Sequence, residues 1–477
     1  MNTSRRSFIK GAAAVGAFNI IPARVLWGAT APSNQLTRAL IGFGGIARSV
    51  DLGMKFGNHM CPADWGRPRI IALCDPDSKH TEEGIAKAKE FGYGDISARS
   101  RGKNFMDILA DKDVDIVHIC TPPHWHGCMS AMAAKAKKDI WCEKPMTRTV
   151  GEGVRVAELV KANKVNFRLN TWFRYDWPYY GFGTPVKPIR QIVENNLVSS
   201  KGKPMRCVFG AGQGFDWKFF WSGKVNLEPQ PVPENLDWDM WLGPAPWKPY
   251  NKHRCHGTFR GYWDYDAGGL GDMAQHYLDP LQYLLCKDET SPVKVDYVGP
   301  KHHPEVVGRF DRITLTYADG TEVILDGDQS LKNEPFLRGD LATMWPCKDE
   351  KGQVRLWTSQ EQAKTQMFGL TDNKTGKAID VRAKLKELPE PKAQITDFYE
   401  CCRTNKGGNY SLDKRFCLNE DTGFRSCTMF NLAIVAERLG RGFEFDPVAL
   451  RAKNDAAADR FLYQSMREPW RKEMFEG

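Results

Sequence analysis

A glycine-rich turn that directly follows an apolar strand constrains the fold of this chain more than any other feature. The predicted strand covers residues 36–41, and the turn has the pattern G-x-G-x-x-A. The first glycine allows a tight change of direction, the second lets a pyrophosphate approach the backbone, and the last small residue lets a helix pack on the strand. Such turns are common, so the prediction depends on the strands and helices that come after the turn. It assigns a dinucleotide to the backbone of Gly42, Gly44, Gly45 and Ile46.

Apolar strands alternate with helical segments after this turn. The predicted strands cover residues 70–74, 114–120 and 140–142. Alternation of this kind predicts an α/β fold with a doubly wound, parallel Rossmann sheet. We place this first domain at residues 36–148.

An acid at the end of the second strand bears on the choice of dinucleotide. Asp75 can accept hydrogen bonds from the adenosine ribose hydroxyls and would repel a 2′-phosphate, which favours NAD over NADP. It follows Gly42 by 33 residues, a longer spacing than usual, which indicates an insertion before the strand. The alternative role of Asp75 is to cap a local turn.

The ends of the third and fourth strands carry further candidate residues. Thr121 and Pro122 follow the third strand, and Glu143 and Lys144 follow the fourth. Ligands of parallel sheets bind at the carboxyl ends of the strands, so these residues should line one crevice. A lysine there can donate a hydrogen bond to a substrate hydroxyl and stabilise an alkoxide. The alternative is an ordinary surface lysine in a turn.

A second cluster lies in the segment GGLGDMAQHYLD. Asp272 and His276 are four residues apart and share a face of a predicted helix. A neighbouring carboxylate would keep the imidazole pKa near neutrality, suited to accepting a hydroxyl proton. An isolated pair of this kind is more often a surface contact. One histidine and one aspartate are too few for a metal site, so we predict none.

These motifs together resemble the glucose–fructose oxidoreductase/inositol dehydrogenase (Gfo/Idh/MocA) family. The resemblance spans residues 36–447 in patches. It implies a catalytic set of Lys144, Asp272 and His276, and it places Arg174 and Trp172 near the substrate. The matching residues are Gly42 to Ala47, Asp75, Thr121-Pro122-Pro123-His124-Trp125-His126, Glu143-Lys144-Pro145 and Gly271 to His276, with His126 counted among the cofactor-binding residues.

The resemblance also implies a second α/β domain with a large, open, mainly antiparallel sheet. We place this substrate domain at residues 149–447, with a tail at 448–477, and expect the sheet to mediate homo-oligomerisation. Two insertions, 212–265 and 330–390, account for the length of the chain.

The first insertion is rich in tryptophan and proline. Most of its aromatic rings should anchor a long loop by packing, and one or two could stack on a sugar ring. Tyr262 and Trp263 are our candidates for substrate contacts. The lone imidazoles of His253 and His256 in this loop are expected to be exposed rather than to bind a ligand.

The sequence therefore predicts an NAD-dependent oxidoreductase that acts on a hydroxyl of a sugar, glycoside or polyol. The alternative is a glycoside hydrolase or lyase that uses tightly bound NAD in a cycle of oxidation, elimination and reduction. A third possibility, a binding protein without cofactor, is disfavoured by the intact glycines and by Lys144, Asp272 and His276.

The charge of the chain gives no sign of a nucleic-acid partner. Four of the nine net positive charges lie in the first 31 residues, and the remainder is spread along the chain. No basic run alternates with aromatic residues. No segment is long and apolar enough to predict a membrane span.

The N-terminus is typical of an exported protein. Residues 1–31 contain the pair Arg5-Arg6, a short apolar stretch and a cleavage-type Ala29-Thr30-Ala31. The arginine pair resembles a twin-arginine signal, which predicts a periplasmic location. That route carries folded proteins and would permit a cofactor to be loaded before export.

Export should depend on the two arginines. Replacing Arg5 and Arg6 with lysine should trap the precursor in the cytoplasm, as measured by cell fractionation and immunoblotting. Normal periplasmic accumulation of that double variant would show that the signal is misread.

Overall fold

The computed structural model describes residues 35–48, 68–171, 173–175, 185–347 and 368–476. The predicted signal peptide lies outside these residues. The described chain forms two sheets with helices packed around them, which confirms the predicted α/β class. Within the described residues, no helix combines the length and the apolar character needed to cross a membrane.

The first sheet is parallel and has the strand order β2-β1-β3-β4-β5. Strands β3 and β4 are buried along their whole length, and β1 is buried except at Thr37, because helices cover a parallel sheet on both faces. The strands are β1 (Thr37–Ile41), β2 (Arg69–Cys74), β3 (Ile116–Ile119), β4 (Asp139–Glu143) and β5 (Phe167–Asn170).

The helices of this half connect successive strands. The longest of them begin at side-chain caps: Asp77 caps α1 and Thr149 caps α5. The helices are α1 (Ser78–Glu90), α2 (Ser97–Ser100), α3 (Phe105–Ala110), α4 (His126–Lys135) and α5 (Val150–Asn163).

The parallel sheet extends beyond the boundary that we predict at residue 148. Strand β5 pairs with β4, and α5 is the crossover that connects them. The sheet is complete only at Asn170. The predicted boundary therefore falls inside the last β–α–β unit.

The second sheet has nine strands in the order β12-β11-β10-β6-β9-β8-β7-β13-β14. Among the described strands, only β6 and β9 are parallel neighbours, so the sheet is mainly antiparallel, as predicted. Its strands are β6 (Arg206–Phe209), β7 (Lys294–Val298), β8 (Arg312–Thr316), β9 (Glu322–Asp326), β10 (Leu337–Arg338), β11 (Ala342–Trp345), β12 (Gly369–Asp372), β13 (Phe443–Asp446) and β14 (Arg451–Ala452).

Two long helices, α8 and α11, pack on each other in the core of this half. Every residue of α8 is buried, so this helix is enclosed on all sides. The helices are α6 (Val186–Glu194), α7 (Trp238–Leu242), α8 (Gly268–Leu284), α9 (Val381–Glu387), α10 (Phe398–Lys406), α11 (Glu420–Leu439), α12 (Ala456–Leu462) and α13 (Trp470–Phe475).

The insertion at 212–265 folds around its own small core and is seated on the end of β2. Ser78 N donates to Asn235 O at 2.8 Å, and Asp237 N donates to Pro76 O at 2.9 Å. The packing interpretation of its aromatic residues holds for the buried members of that core, which include Trp238, Trp241, Tyr250, Tyr262 and Tyr265.

The segment that we predict as a tail returns to the first domain. Trp470 is buried and packs against Trp125, with ring centroids 4.8 Å apart, and against Phe105 at 5.6 Å. Residues 448–477 thus contribute to the core of the dinucleotide half.

Close backbone approach fixes glycine at the start of α8. A Cβ atom on Gly269 would lie 1.4 Å from Trp217 O, whereas one on Gly369 would lie 3.5 Å from Trp345 Cβ. We expect Gly269→Ala to lower the free energy of unfolding by more than about 3 kcal/mol, because the obstacle is backbone. Thermal unfolding followed by circular dichroism measures this. The control Gly369→Ala should melt with the wild type, and a Gly269→Ala protein that does the same would contradict the prediction.

Candidate active site

The glycine turn after β1 has the form that a bound pyrophosphate needs. Gly42 has φ +91°, and a Cβ there would lie 2.9 Å from Cys120 O. A Cβ on Gly44 or Gly45 would meet nothing within 4 Å, and both residues line a cavity. Larger side chains at these two positions would fill the space above the turn. The glycines therefore leave room for the pyrophosphate of a dinucleotide.

The cavity has a volume of about 700 Å³ and lies between two walls. One wall is the carboxyl edge of the parallel sheet. The opposite wall comes from the insertion and includes Met240, Trp241, Phe259 and Arg260. The predicted cofactor-binding residues that line the cavity are Gly42, Gly44, Gly45, Ile46, Asp75, Thr121 and Pro122.

Asp75 accepts hydrogen bonds from two backbone amides and also lines the cavity, so the geometry is compatible with both of its predicted roles. Its Oδ2 accepts a hydrogen bond from Phe43 N at 2.7 Å, and its Oδ1 accepts one from Asp77 N at 2.8 Å. These two amides orient the carboxylate between the glycine turn and the end of β2. Oδ2 can accept a second hydrogen bond, as from a ribose hydroxyl, whereas Oδ1 also lies 3.4 Å from His80 Nδ1.

His126 and Glu143, predicted to bind cofactor, are buried behind the crevice. The His126 ring lies 2.6 Å from Pro145 O and 2.8 Å from Thr121 O, and it ties together the loops after β3 and β4. Burial lowers the pKa of His126 to about 4. Glu143 accepts a hydrogen bond from Asn170 on β5. Both residues support the crevice from inside.

Lys144 and Asp272 meet as a buried ion pair, which brings two members of the predicted catalytic set together. Lys144 Nζ donates to Asp272 Oδ1 at 2.6 Å and to Asp272 O at 2.9 Å. An ammonium group has three N–H donors. The third has no acceptor among the described residues and is available to an oxygen of a substrate.

Arg260 is a member of this site that the sequence did not reveal. Its Nε donates to Asp272 Oδ2 at 2.7 Å, and the residue also lines the cavity. Burial raises the pKa of Asp272, but the nearby charges of Lys144 and Arg260 outweigh this effect and hold the pKa below its usual value. The arginine lies in a proline-rich insertion without regular spacing, and no sequence signal singles it out.

His276 is not paired with Asp272 as the spacing predicts. Both carboxylate oxygens of Asp272 are engaged by Lys144 and Arg260. His276 Nδ1 lies 3.2 Å from Thr171 Oγ1, and the ring packs edge-on against Phe173.

The prediction that the His276 imidazole has a pKa near neutrality is also wrong. Burial and the charge of Lys144 lower the pKa of His276 well below its usual value, and the charge of Asp272 opposes them only in part. The imidazole is therefore neutral at physiological pH. A neutral imidazole can still accept a proton.

Arg174, Tyr262 and Trp263, which we predict to contact substrate, are not among the residues that line the cavity. Arg174 is only 2% exposed, and its guanidinium forms ion pairs with Asp279 and Asp288 at 2.9 Å. Tyr262 and Trp263 are buried: the Tyr262 hydroxyl lies 2.8 Å from His253 Nδ1, and Trp263 Nε1 donates to His303 O. These three side chains hold the fold together. Trp172 lies outside the described residues.

The chain combines a parallel sheet that has a phosphate-type glycine turn with a second, mainly antiparallel sheet, and the Lys144–Asp272 ion pair connects the end of β4 to helix α8. These features are those of a two-domain, dinucleotide-binding oxidoreductase. The chain belongs to the Gfo/Idh/MocA family. The family model described as "Oxidoreductase family, NAD-binding Rossmann fold" matches residues 36–171. The model described as "Oxidoreductase family, C-terminal alpha/beta domain" matches residues 182–352 and 366–472.

Individual relatives are similar over shorter stretches. The D-xylose 1-dehydrogenase (NADP(+)) of Hypocrea jecorina is 30% identical over 133 residues, which cover 28% of this chain and 33% of that protein. Glycosyl hydrolase family 109 protein 2 of Shewanella sp. (strain ANA-3) is 32% identical over 134 residues, 27% of this chain and 28% of that protein. The chain thus spans about a third of the length of these relatives.

Among solved structures, the WlbA dehydrogenase of Chromobacterium violaceum, in complex with NADH and UDP-GlcNAcA, has the same fold. Its TM-score is 0.52 at 16% identity, and the match covers 86% of this chain and 96% of that one.

The lowered pKa of His276 gives a direct test. Since the folded pKa lies below the unfolded value of about 6.5, the neutral form should persist from pH 8 to well below 6.5. The stability that this histidine contributes is then lost as the pH falls below about 6.5. NMR of ring-labelled histidine, with His276→Ala to identify the resonance, measures the titration. A His276 midpoint near pH 7 would instead support a carboxylate-paired imidazole.

Proposed function

We propose that the protein oxidises a hydroxyl group of a sugar, glycoside or polyol and transfers hydride to NAD. The observation that carries the proposal is the third N–H of Lys144, held by Asp272 beside the dinucleotide crevice. Arg260 connects the Lys144–Asp272 ion pair with the crevice, because it lines the crevice and also donates a hydrogen bond to Asp272.

In this proposal each residue of the site has a definite task. Lys144 donates a hydrogen bond to the substrate oxygen and stabilises the negative charge that develops on it. His276, neutral at physiological pH, accepts the hydroxyl proton. Asp272 orients Lys144 by accepting two of its hydrogen bonds. When bound, NAD supplies the hydride acceptor, held by the backbone of Gly42 and Gly44 and by Asp75.

We propose NAD rather than NADP as the dinucleotide. The Asp75 carboxylate, fixed by Phe43 N and Asp77 N, supports this choice, because its charge opposes a 2′-phosphate. The xylose dehydrogenase relative is named for NADP(+), so the preference needs a direct measurement.

The second candidate is a glycosidase that oxidises, eliminates and re-reduces its substrate with bound NAD. The similarity to glycosyl hydrolase family 109 proteins favours it. Both candidates begin with oxidation of a substrate hydroxyl, for which Lys144 and His276 would have the same roles. They differ in whether NADH accumulates.

Two further predictions concern the whole protein. Export to the periplasm by the twin-arginine route suits an enzyme that keeps its cofactor. Homo-oligomerisation through the nine-stranded sheet stays a prediction, and the native mass of the purified protein measures it.

The proposal is tested on the purified mature protein. Nucleotide released from it should be NAD, close to one per chain, by mass spectrometry. With a screened sugar or glycoside, Lys144→Ala should lower kcat by about 10²–10⁴-fold, because the donor to the developing alkoxide is lost. The bound nucleotide should stay, since its contacts come from Gly42, Gly44 and Asp75.

Three outcomes separate the alternatives. NADH formed in step with a ketosugar identifies a dehydrogenase, whereas bond cleavage without net NADH identifies the glycosidase. Released NADP would contradict the Asp75 argument. Loss of nucleotide or of fold in Lys144→Ala would make the lysine structural. The matched control, exposed Lys201→Ala, should keep full activity.

A further inference from the structure

Three side chains of metal-ligand type meet at the adenosine side of the crevice. Asp77, His80 and His256 each offer one ligand atom, and these atoms lie within 4.8 Å of one another. His256 Nε2 is 3.2 Å from Asp77 Oδ2, and the rings of His80 and His256 have centroids 4.8 Å apart. The sequence predicts no metal site, because His256 lies far along the chain from Asp77 and His80.

The local structure fixes two of these ligands from the first domain. Asp77 caps α1: its Oδ1 accepts hydrogen bonds from Lys79 N at 2.9 Å and Asn235 Nδ2 at 2.7 Å. Its Oδ2 is thereby turned toward His256. His80 lies in the first turn of the same helix, and its Nδ1 is 3.4 Å from Asp75 Oδ1. Its Nε2 is then the nitrogen left for a metal ion.

The third ligand comes from the insertion, held in an uncommon backbone conformation. His256 has φ +45°, in the left-handed region that non-glycine residues rarely adopt, and Gly257 follows with φ +93°. Residues in such conformations concentrate at ligand-binding and catalytic positions. This turn directs the imidazole across the domain boundary to Asp77.

The distances and donor types fit a first-row divalent ion. Ligands at about 2.0–2.2 Å from a tetrahedral zinc ion are about 3.3–3.5 Å apart. The 3.2 Å pair is close to this spacing, and all three ligand atoms lie within 4.8 Å of one another. Two imidazoles and a carboxylate suit zinc, and an acid behind a liganding histidine, as Asp75 is behind His80, is a common outer contact.

We infer that Asp77, His80 and His256 bind a zinc-type divalent ion that fastens the insertion to the end of β2. Because His80 and His256 also line the crevice, the ion closes the adenosine side of the cavity and slows nucleotide release. Zinc binding itself is independent of the proposed reaction. Only the effect on release rests on the proposed cofactor.

The test uses the mature protein purified without a histidine tag, treated with a chelator and dialysed. Zn²⁺ titrated by calorimetry should bind at one ion per chain, and Co²⁺ should give a ligand-field spectrum of a nitrogen–oxygen site. His256→Gln and Asp77→Asn should each weaken zinc binding at least about 100-fold, since losing a direct ligand exceeds the 10–100-fold loss typical of an outer partner. Chelator should speed NAD release from the wild type and not from His256→Gln.

The matched control is His303→Ala, an exposed histidine outside the cluster, which should bind zinc as the wild type does. Circular dichroism and thermal melting show that each variant is folded. A folded wild type that binds no zinc, or one whose zinc affinity is unchanged in His256→Gln and Asp77→Asn, overturns the site and leaves a simple His–Asp contact. Zinc binding without any effect of chelator on NAD release overturns the fastening role alone.

Discussion

The carboxylate of Asp272 lies between two cations that come from different parts of the chain. Lys144 belongs to the end of β4, Arg260 belongs to the insertion, and Asp272 itself is in the first turn of α8. Removing charges from water is costly, so this arrangement is stable only while all three groups are present and hydrogen-bonded. Loss of the carboxylate would leave two buried cations facing each other. The cluster of Lys144, Asp272 and Arg260 therefore forms part of the candidate active site and also connects the two domains.

The insertion at 212–265 gives the crevice its second wall. Its small core of tryptophans and tyrosines makes it rigid, and its backbone is hydrogen-bonded to the end of β2. The insertion places Arg260 in contact with Asp272 and His256 in contact with Asp77. A dinucleotide held between two walls has less access to solvent than one on an open sheet edge, which fits an enzyme that retains its cofactor.

The sequence predicts the parts of this protein whose signals are local. The turn at Gly42, the strand-end acid Asp75 and the lysine after β4 depend on a few consecutive residues. Gly42 and Asp75 line the cavity as expected, whereas Lys144, also predicted to line it, is not among its lining residues and pairs with Asp272. The pairing of His276 and the exposure of Arg174 depend on which distant groups arrive beside them. Spacing along a helix cannot show that Lys144 and Arg260 occupy both carboxylate oxygens of Asp272. It also cannot show that Arg174 forms ion pairs with two buried or partly buried acids, Asp279 and Asp288. Partners and burial are properties of the tertiary fold.

The return of the C-terminus to the first domain has a consequence for synthesis. Trp470 fills the space beside Trp125 and Phe105, more than three hundred residues after both. The dinucleotide half therefore emerges from the ribosome with an aromatic gap in its core, and it can close that gap only after Trp470 has been synthesised. Until then Trp125 and Phe105 form an exposed apolar surface on the nascent chain, to which chaperones can bind. The core of the dinucleotide half is therefore complete only when the segment around Trp470 has packed against it.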